Sequence, residues 1–182
     1  MSFLKILGIG GEDDSQAGEG TATVRKIVAE LETMDPGKAR YVAAFAYILG
    51  RVAHADLDIS EVETRKMEEV IRRLGHLPEE QAILVVQIAK SQNRLFGHTE
   101  NFLVTREFVQ VSTPEQRQEL LDCLFAVSAA DDTISSVEET QIRQIASELG
   151  FSHREYVEAR LAYSDKREVL RPFRDGQRLP SK

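Results

Sequence analysis

The sequence has no tryptophan and a single cysteine among its 182 residues. One cysteine cannot form an internal disulfide, and the apolar neighbours of Cys123 predict a buried, unreactive thiol. No run of about 20 apolar residues is present, so no membrane-spanning helix is expected. The apolar first nine residues carry no cleavage pattern, and we therefore predict a cytoplasmic protein without a secretory signal.

The chain also lacks the positive charge that nucleic-acid binding requires. Its formal net charge is −7 and its pI is near 5.2, so nucleic acid is not expected as a partner. The charge is uneven, since residues 166–182 hold six Lys and Arg against two acids. We expect a solvated basic tail there, with contact to an anionic membrane surface, such as the inner membrane, or to a protein as the alternative.

Sequence motifs for catalysis are missing as well. There is no Gly-rich phosphate loop, no nucleophile elbow and no pair of catalytic carboxylates outside the acidic segments considered below. The histidines stand in unrelated local contexts at positions 54, 76, 98 and 153. We predict that the protein is not an enzyme.

Strand-like alternation is absent, whereas apolar residues recur at helical spacing through most of the chain. Gly8–Thr21 is Gly-rich, acidic and without periodicity, which is typical of a linker. These patterns divide the chain into an N-terminal segment and linker (1–21), a helical domain (22–165) and a basic tail (166–182). The helix at 36–55 carries an i, i+3, i+4, i+7 apolar stripe, which predicts one buried face.

An internal repeat is the strongest pattern in the sequence. Residues 52–75 align without a gap to residues 127–150, 75 positions later, with nine of 24 positions identical. A supersecondary unit that occurs twice can bury its apolar face against its own copy. We therefore predict one all-α domain of seven to eight helices, built from two pseudo-twofold-related repeats.

Part of the repeated sequence has a local structural explanation. Ser60 with Glu63, and Ser135 with Glu138, have the Ser-x-x-Glu spacing of a capping box at the start of a helix. Gly75 and Gly150 follow Leu at the end of these helices, where glycine commonly adopts the left-handed conformation.

The aspartates that precede each capping box are less easily explained. Asp56 and Asp131 follow the C-terminal end of a helix, where its dipole disfavours a carboxylate. A hydrogen-bonded turn, the positive N-terminus of the next helix or a bound cation would each compensate. We name residues 56–63 the first acidic turn and residues 131–138 the second acidic turn.

The cation hypothesis rests on the number of oxygen donors. A hard divalent ion, Ca²⁺, Mg²⁺ or Mn²⁺, is the candidate cofactor for such a set. The candidate ligands are Asp56, Asp58, Glu63, Asp131, Asp132 and Glu138. An ordinary EF-hand is excluded, because Glu61 stands where that loop needs glycine and Met67 where it needs glutamate.

The two Ala-Asp-x-x-Ile-Ser-x-x-Glu sequences, at 55–63 and 130–138, resemble the TerB-like (tellurite-resistance protein B) family over roughly residues 22–165. The resemblance implies acidic turns proposed to bind metal, which here correspond to Asp56, Asp58, Glu63, Asp131 and Glu138. Many members have glycine after the first aspartate, where this chain has Leu57 and Asp132.

The resemblance further implies a non-enzymatic module of bacterial tellurite resistance or stress response that acts through protein contacts. A divalent-cation sensor or buffer is one alternative, and a co-chaperone-type interaction domain is another. The sequence predicts neither the partner nor the oligomeric state.

Overall fold

The computed structural model describes residues 19–53, 61–95 and 101–170. Within these ranges the chain forms eight α-helices, and the only pairing of extended backbone is an isolated bridge between Ile134 and Arg167. The helices are α1 (Glu19–Glu32), α2 (Pro36–Ala53), α3 (Glu61–Leu74), α4 (Glu79–Leu95), α5 (Asn101–Val111), α6 (Pro114–Ser128), α7 (Ser136–Glu148) and α8 (His153–Leu161). The predicted all-α class and number of helices are confirmed.

Helix α2 is the centre of the domain. The sequence pattern predicted one buried stripe, but every residue from Tyr41 to Gly50 is buried. A helix that is apolar on all sides is stable only when other elements surround it. Helices α4, α5, α6 and α7 pack around α2, which explains why one stripe underestimates its buried surface.

Aromatic side chains fix the helices around this centre. Tyr41 and Phe45 of α2 pack on Phe108 of α5, with ring centroids 5.3 and 6.2 Å apart. On α6, Phe125 stacks on Tyr163 at 5.5 Å with an interplanar angle of 13°. Offset or edge contacts of this kind add about 0.5–1.5 kcal/mol each beyond burial of area. The contact between Phe125 and Tyr163 holds the chain beyond α8 against the end of α6.

Three helices begin at complete capping boxes. Thr113, Ser135 and Ser152 each accept a hydrogen bond from the amide three residues later, and the side chain of that later residue accepts one from the cap amide. Each cap contributes about 1 kcal/mol. The starts of α6, α7 and α8 therefore follow from local sequence.

The two glycines at the repeat ends differ from one another. Gly150 has φ +92°, as predicted for a left-handed helix stop. The prediction for Gly75 was wrong, because the left-handed residue after α3 is His76, with φ 51°. Gly75 is required for space, since a Cβ there would lie 2.7 Å from the carbonyl oxygen of Ile71 and 3.3 Å from Cys123 Sγ.

The helix bounds agree with the spacing of the repeat without establishing its symmetry. Helices α3 and α7 begin at Glu61 and Ser136, 75 positions apart. The pseudo-twofold relation stays a prediction. The predicted N-terminal segment and linker ran to Thr21, but α1 already begins at Glu19. Residues 1–18 and the tail beyond Leu170 lie outside the described residues. Across the described ranges, no helix combines the length and apolarity needed to cross a bilayer.

Candidate functional site

The two acidic turns differ in how much of each is described. Asp56, Asp58 and Ser60 of the first acidic turn lie outside the described residues, so their predicted roles stay predictions. Glu63 lies in the first turn of α3. The second acidic turn is described throughout its backbone and connects α6 to α7.

The backbone of the second acidic turn reverses at Asp132. A 3₁₀ turn, Ala129–Asp131, continues α6, and Asp132 then adopts the left-handed conformation with φ 62° and ψ 6°. Its amide donates to the carbonyl of Ala129 at 3.0 Å. Aspartate is one of the few residues other than glycine that enter this conformation readily. Because the turn needs a left-handed residue at this position, aspartate can replace the glycine that the resemblance implies.

Two lysines from distant parts of the chain neutralise this turn. Lys166 Nζ donates to Asp132 Oδ1 at 2.5 Å, and Lys66 Nζ on α3 donates to the carbonyl of Ala130 at 3.2 Å. The carbonyl end of α6 carries the negative end of the helix dipole, which favours a cation at this position. The ammonium groups of Lys166 and Lys66 thus contact the turn for which the sequence predicts a divalent ion.

Glu138, another predicted ligand of the turn, closes the capping box of α7. Its Oε2 accepts from the amide and hydroxyl of Ser135 at 2.8 and 2.7 Å. Over the described residues, no group of three or more His, Cys, Asp or Glu side chains is arranged to hold a metal ion. The side chain of Asp131 lies outside the described residues, so the metal site of this turn stays a prediction.

A charged cluster that the sequence did not predict lies beside the turn. Glu139 accepts from Arg167 Nη2 at 2.7 Å, from Arg167 Nε at 2.9 Å and from Arg160 Nη1 at 3.0 Å. Arg160 also lies 5.5 Å from the ring centroid of Tyr156. Burial would raise the pKa of Glu139, but the two guanidinium groups outweigh it and lower that pKa.

The 163–170 segment joins this cluster to the second acidic turn. Ile134 donates to the carbonyl of Lys166 at 2.8 Å and accepts from the amide of Glu168 at 3.0 Å. Glu168 Oε2 accepts from the amide of Ser136, at the start of α7, at 3.1 Å. The predicted boundary between domain and tail at residue 165 thus falls inside a continuous set of contacts. The sequence has an excess of positive charge after residue 165, next to an acidic domain. This is the feature that could have indicated these contacts.

Acid should release the 163–170 segment. The folded-state pKa of Glu139 lies below its unfolded value, so its contribution to stability is complete above about pH 4.5 and is lost as the pH falls through the folded pKa. The protection factor of the Glu168 amide, which corrects for the slower intrinsic exchange in acid, should therefore fall at higher pH than the protection factors of the core amides of α2 do. Glu139→Gln should make exchange of the Glu168 amide fast already at neutral pH; unchanged protection would contradict the role of Glu139.

The other candidate residues have structural environments. Cys123 is fully buried and its Sγ lies 3.9 Å from the carbonyl of Val70; burial raises the pKa of this thiol, as expected for an unreactive cysteine. His76 Nδ1 lies 2.9 Å from Glu119 Oε1 on the surface, and His153 lies near Tyr156. His54 and His98 lie outside the described residues.

Comparison with known proteins agrees with this domain. The family model described as "Tellurite resistance protein TerB" matches residues 41–161, which run from within α2 to the end of α8 and include the second acidic turn. Neither the curated proteins nor the solved structures include a match to the chain. The family match covers more than half of the sequence, and the chain therefore belongs to the TerB family.

Proposed function

We propose that this TerB domain is a non-enzymatic module of tellurite resistance or a related stress response that acts through protein contacts. The observation that carries the proposal is the second acidic turn, a charged surface held at the end of a buried helix by a capping box and two lysines. Asp132 keeps 81% of its side-chain surface exposed despite its ion pair. A rigid backbone with accessible charge suits recognition of a partner.

Burial raises the pKa of the Asp122 carboxyl, but the pKa shifts of four other groups support a role without catalysis. The pKa shifts of Glu139 and Glu148 are both downward and follow from arginine contacts, which keep these carboxylates ionised and paired. Burial raises the pKa of Cys123 and Tyr41, which makes the thiolate and phenolate harder to form. A nucleophile or general base needs the opposite adjustment.

A cation sensor or buffer is the less favoured function for the described part of the chain. Lysines occupy the second acidic turn, so a divalent ion would have to displace them. Asp56 and Asp58 of the first acidic turn, and Asp131 of the second, stay predicted ligands.

A growth experiment tests the proposed function. Deletion of the gene in its native host should reduce growth under tellurite, and the wild-type gene should restore it. Asp132→Lys should fail to restore growth, because it reverses the charge of the exposed turn and repels Lys166. Glu69→Lys makes the same charge change at an exposed position of α3 and is the matched control.

The purified variants decide how the growth result is interpreted. The melting temperature of Glu69→Lys should stay within a few degrees of the wild type, as is usual for a change at an exposed position. Asp132→Lys also places lysine at φ 62°, which costs about 1–2 kcal/mol, so Asp132→Asn, which tolerates this conformation and removes the charge, should fail to restore growth as well. Full restoration by Asp132→Lys, or equal failure of Glu69→Lys, would refute a role for the second acidic turn.

A further inference from the structure

We propose that the second acidic turn, together with the adjacent Glu139, is a receptor for a peptide that contains Lys-Arg-Glu, and that the 163–170 segment is its resident intramolecular ligand. The inference rests on the proposed function, since it names the class of partner that the acidic surface binds. Four kinds of contact, made by the segment with the turn and with Glu139 and Phe125 beside it, support it.

The first contact is between backbones. Ile134 and Arg167 form a parallel bridge, and Arg167 is extended, with φ −72° and ψ 125°. The hydrogen bonds of Ile134, to the carbonyl before Arg167 and from the amide after it, are those with which a domain binds an extended peptide along its edge. Such contacts accept many sequences, because they involve only backbone groups of the peptide.

Charge supplies the selectivity. Lys166 pairs with Asp132, and Arg167 makes a two-pronged contact with Glu139, whose side chain is 14% exposed. Planar guanidinium matches a carboxylate in a way that a lysine does not. These two ion pairs favour a peptide in which a cationic residue is followed directly by arginine.

Glu168, the residue after Arg167, is acidic and meets the start of a helix. Glu168 Oε2 accepts from the amide and the hydroxyl of Ser136 at 3.1 and 3.3 Å. Free amides and the helix dipole favour a carboxylate there. The matching peptide is therefore Lys-Arg-Glu, with the arginine extended and a 3₁₀ turn on each side of it.

The segment lies on the surface of the domain, as a bound ligand would, and is not part of the core. No residue of its 3₁₀ turns, Ser164–Lys166 and Glu168–Leu170, is buried, and Val169 is 51% exposed. Its apolar anchor is the ring of Tyr163 on Phe125. Apart from the Arg167–Glu139 pair, whose side chains are 16% and 14% exposed, its polar contacts are exposed and contribute little net stability. Release of the segment therefore depends chiefly on this one ion pair and need not unfold the helices.

Competition with a synthetic peptide tests the inference. The probe is an end-capped peptide with the sequence of residues 163–170, added to the ¹⁵N-labelled full-length chain. Binding is followed by the chemical shifts of the Ile134 and Ser136 amides. The peptide can bind only when the resident segment has left the turn. The apparent affinity of the wild type for the peptide is therefore reduced in proportion to the fraction of molecules in which the segment has left. Lys166→Gln with Arg167→Gln in the chain should therefore tighten binding about tenfold or more if that fraction is one tenth or less.

Two controls give the outcome its meaning. Adding Glu139→Gln to the double variant should abolish the gain, and a peptide with glutamine in place of its lysine and arginine should not bind. Lys166→Gln with Glu168→Gln alters more exposed contacts and replaces the first variant if that one loses its fold. Absence of peptide-induced shifts at Ile134 and Ser136 in a folded variant, or equal binding of the uncharged peptide, would overturn the inference.

The result separates the inference from the proposed function. Peptide binding together with full growth of the Asp132→Lys strain would leave the receptor intact and refute the function. Loss of growth without peptide binding would refute the receptor and leave the acidic surface in use by another kind of contact.

Discussion

Glu148→Leu should lower the free energy of unfolding by about 3–5 kcal/mol, the cost of removing one partner from a buried ion pair. Arg51 at the end of α2 donates to Glu148 of α7 at 2.6 and 3.2 Å, and their side chains are only 4% and 11% exposed. Without Glu148 the guanidinium group would remain buried with its charge uncompensated. The measurement is urea denaturation followed by circular dichroism.

The cost should come from the stranded charge and not from loss of a favourable pair. Arg51→Met combined with Glu148→Leu should therefore recover most of the stability, since apolar replacements of buried ion pairs are often neutral or stabilising. Thr105 also contacts both partners, and Thr105→Val completes the apolar replacement. A double variant as unstable as Glu148→Leu alone would show that the pair itself stabilises the fold, and additive losses would show that the two residues are not coupled.

A surface ion pair provides the matched control. Arg154 and Glu158 pair at 2.9 Å on α8 with side chains that are 88% and 58% exposed. Glu158→Leu should cost less than about 1 kcal/mol, because solvent screens such pairs. A similar loss for Glu158→Leu and Glu148→Leu would refute burial as the cause.

The buried pair also predicts acid sensitivity. Burial would raise the pKa of Glu148, but hydrogen bonds from Arg51 and Thr105 outweigh it and lower that pKa. A lowered folded-state pKa means stability that is complete above the unfolded pKa and is lost as the pH falls through the folded one. Glu148→Leu should therefore show a weaker decline in stability below about pH 4.5 than the wild type.

Features that depend on nearby residues could be predicted from the sequence. The capping boxes at Thr113, Ser135 and Ser152 each span four residues, and the structure has all three. The left-handed Gly150 and the all-α class also follow from local patterns. In each case the deciding hydrogen bond or conformation lies within one turn of the chain.

Features that depend on distant residues could not be predicted. Arg51 and Glu148 are 97 positions apart, and Lys166 is 34 positions from Asp132. Such pairings depend on how the helices pack, which a local pattern does not contain. The sequence therefore identified an acidic turn but not the lysines of α3 and the 163–170 segment that contact it.

The two glycines of the repeat also show that a local pattern does not contain distant contacts. The second prediction with a large expected effect concerns Gly75. Gly75→Ala should destabilise the protein by about 1–3 kcal/mol, the usual range for overpacking a core. The new Cβ would lie 2.7 Å from the Ile71 carbonyl oxygen and 3.3 Å from Cys123 Sγ and Phe45 Cζ. Since a backbone carbonyl cannot move aside without disturbing α3, the clash should persist in Cys123→Ala.

Gly150 is the matched position, and its physical reason is different. A Cβ there would meet no atom within 4 Å, so the cost of Gly150→Ala arises from φ +92° alone, about 1–2 kcal/mol. Asparagine tolerates the left-handed region better than alanine does. Gly150→Asn should thus be milder than Gly150→Ala, whereas Gly75→Asn should be worse than Gly75→Ala because it is larger. Thermal melts of the four variants measure this reversal, and the same order at both positions would mean that the repeat uses its two glycines for one purpose.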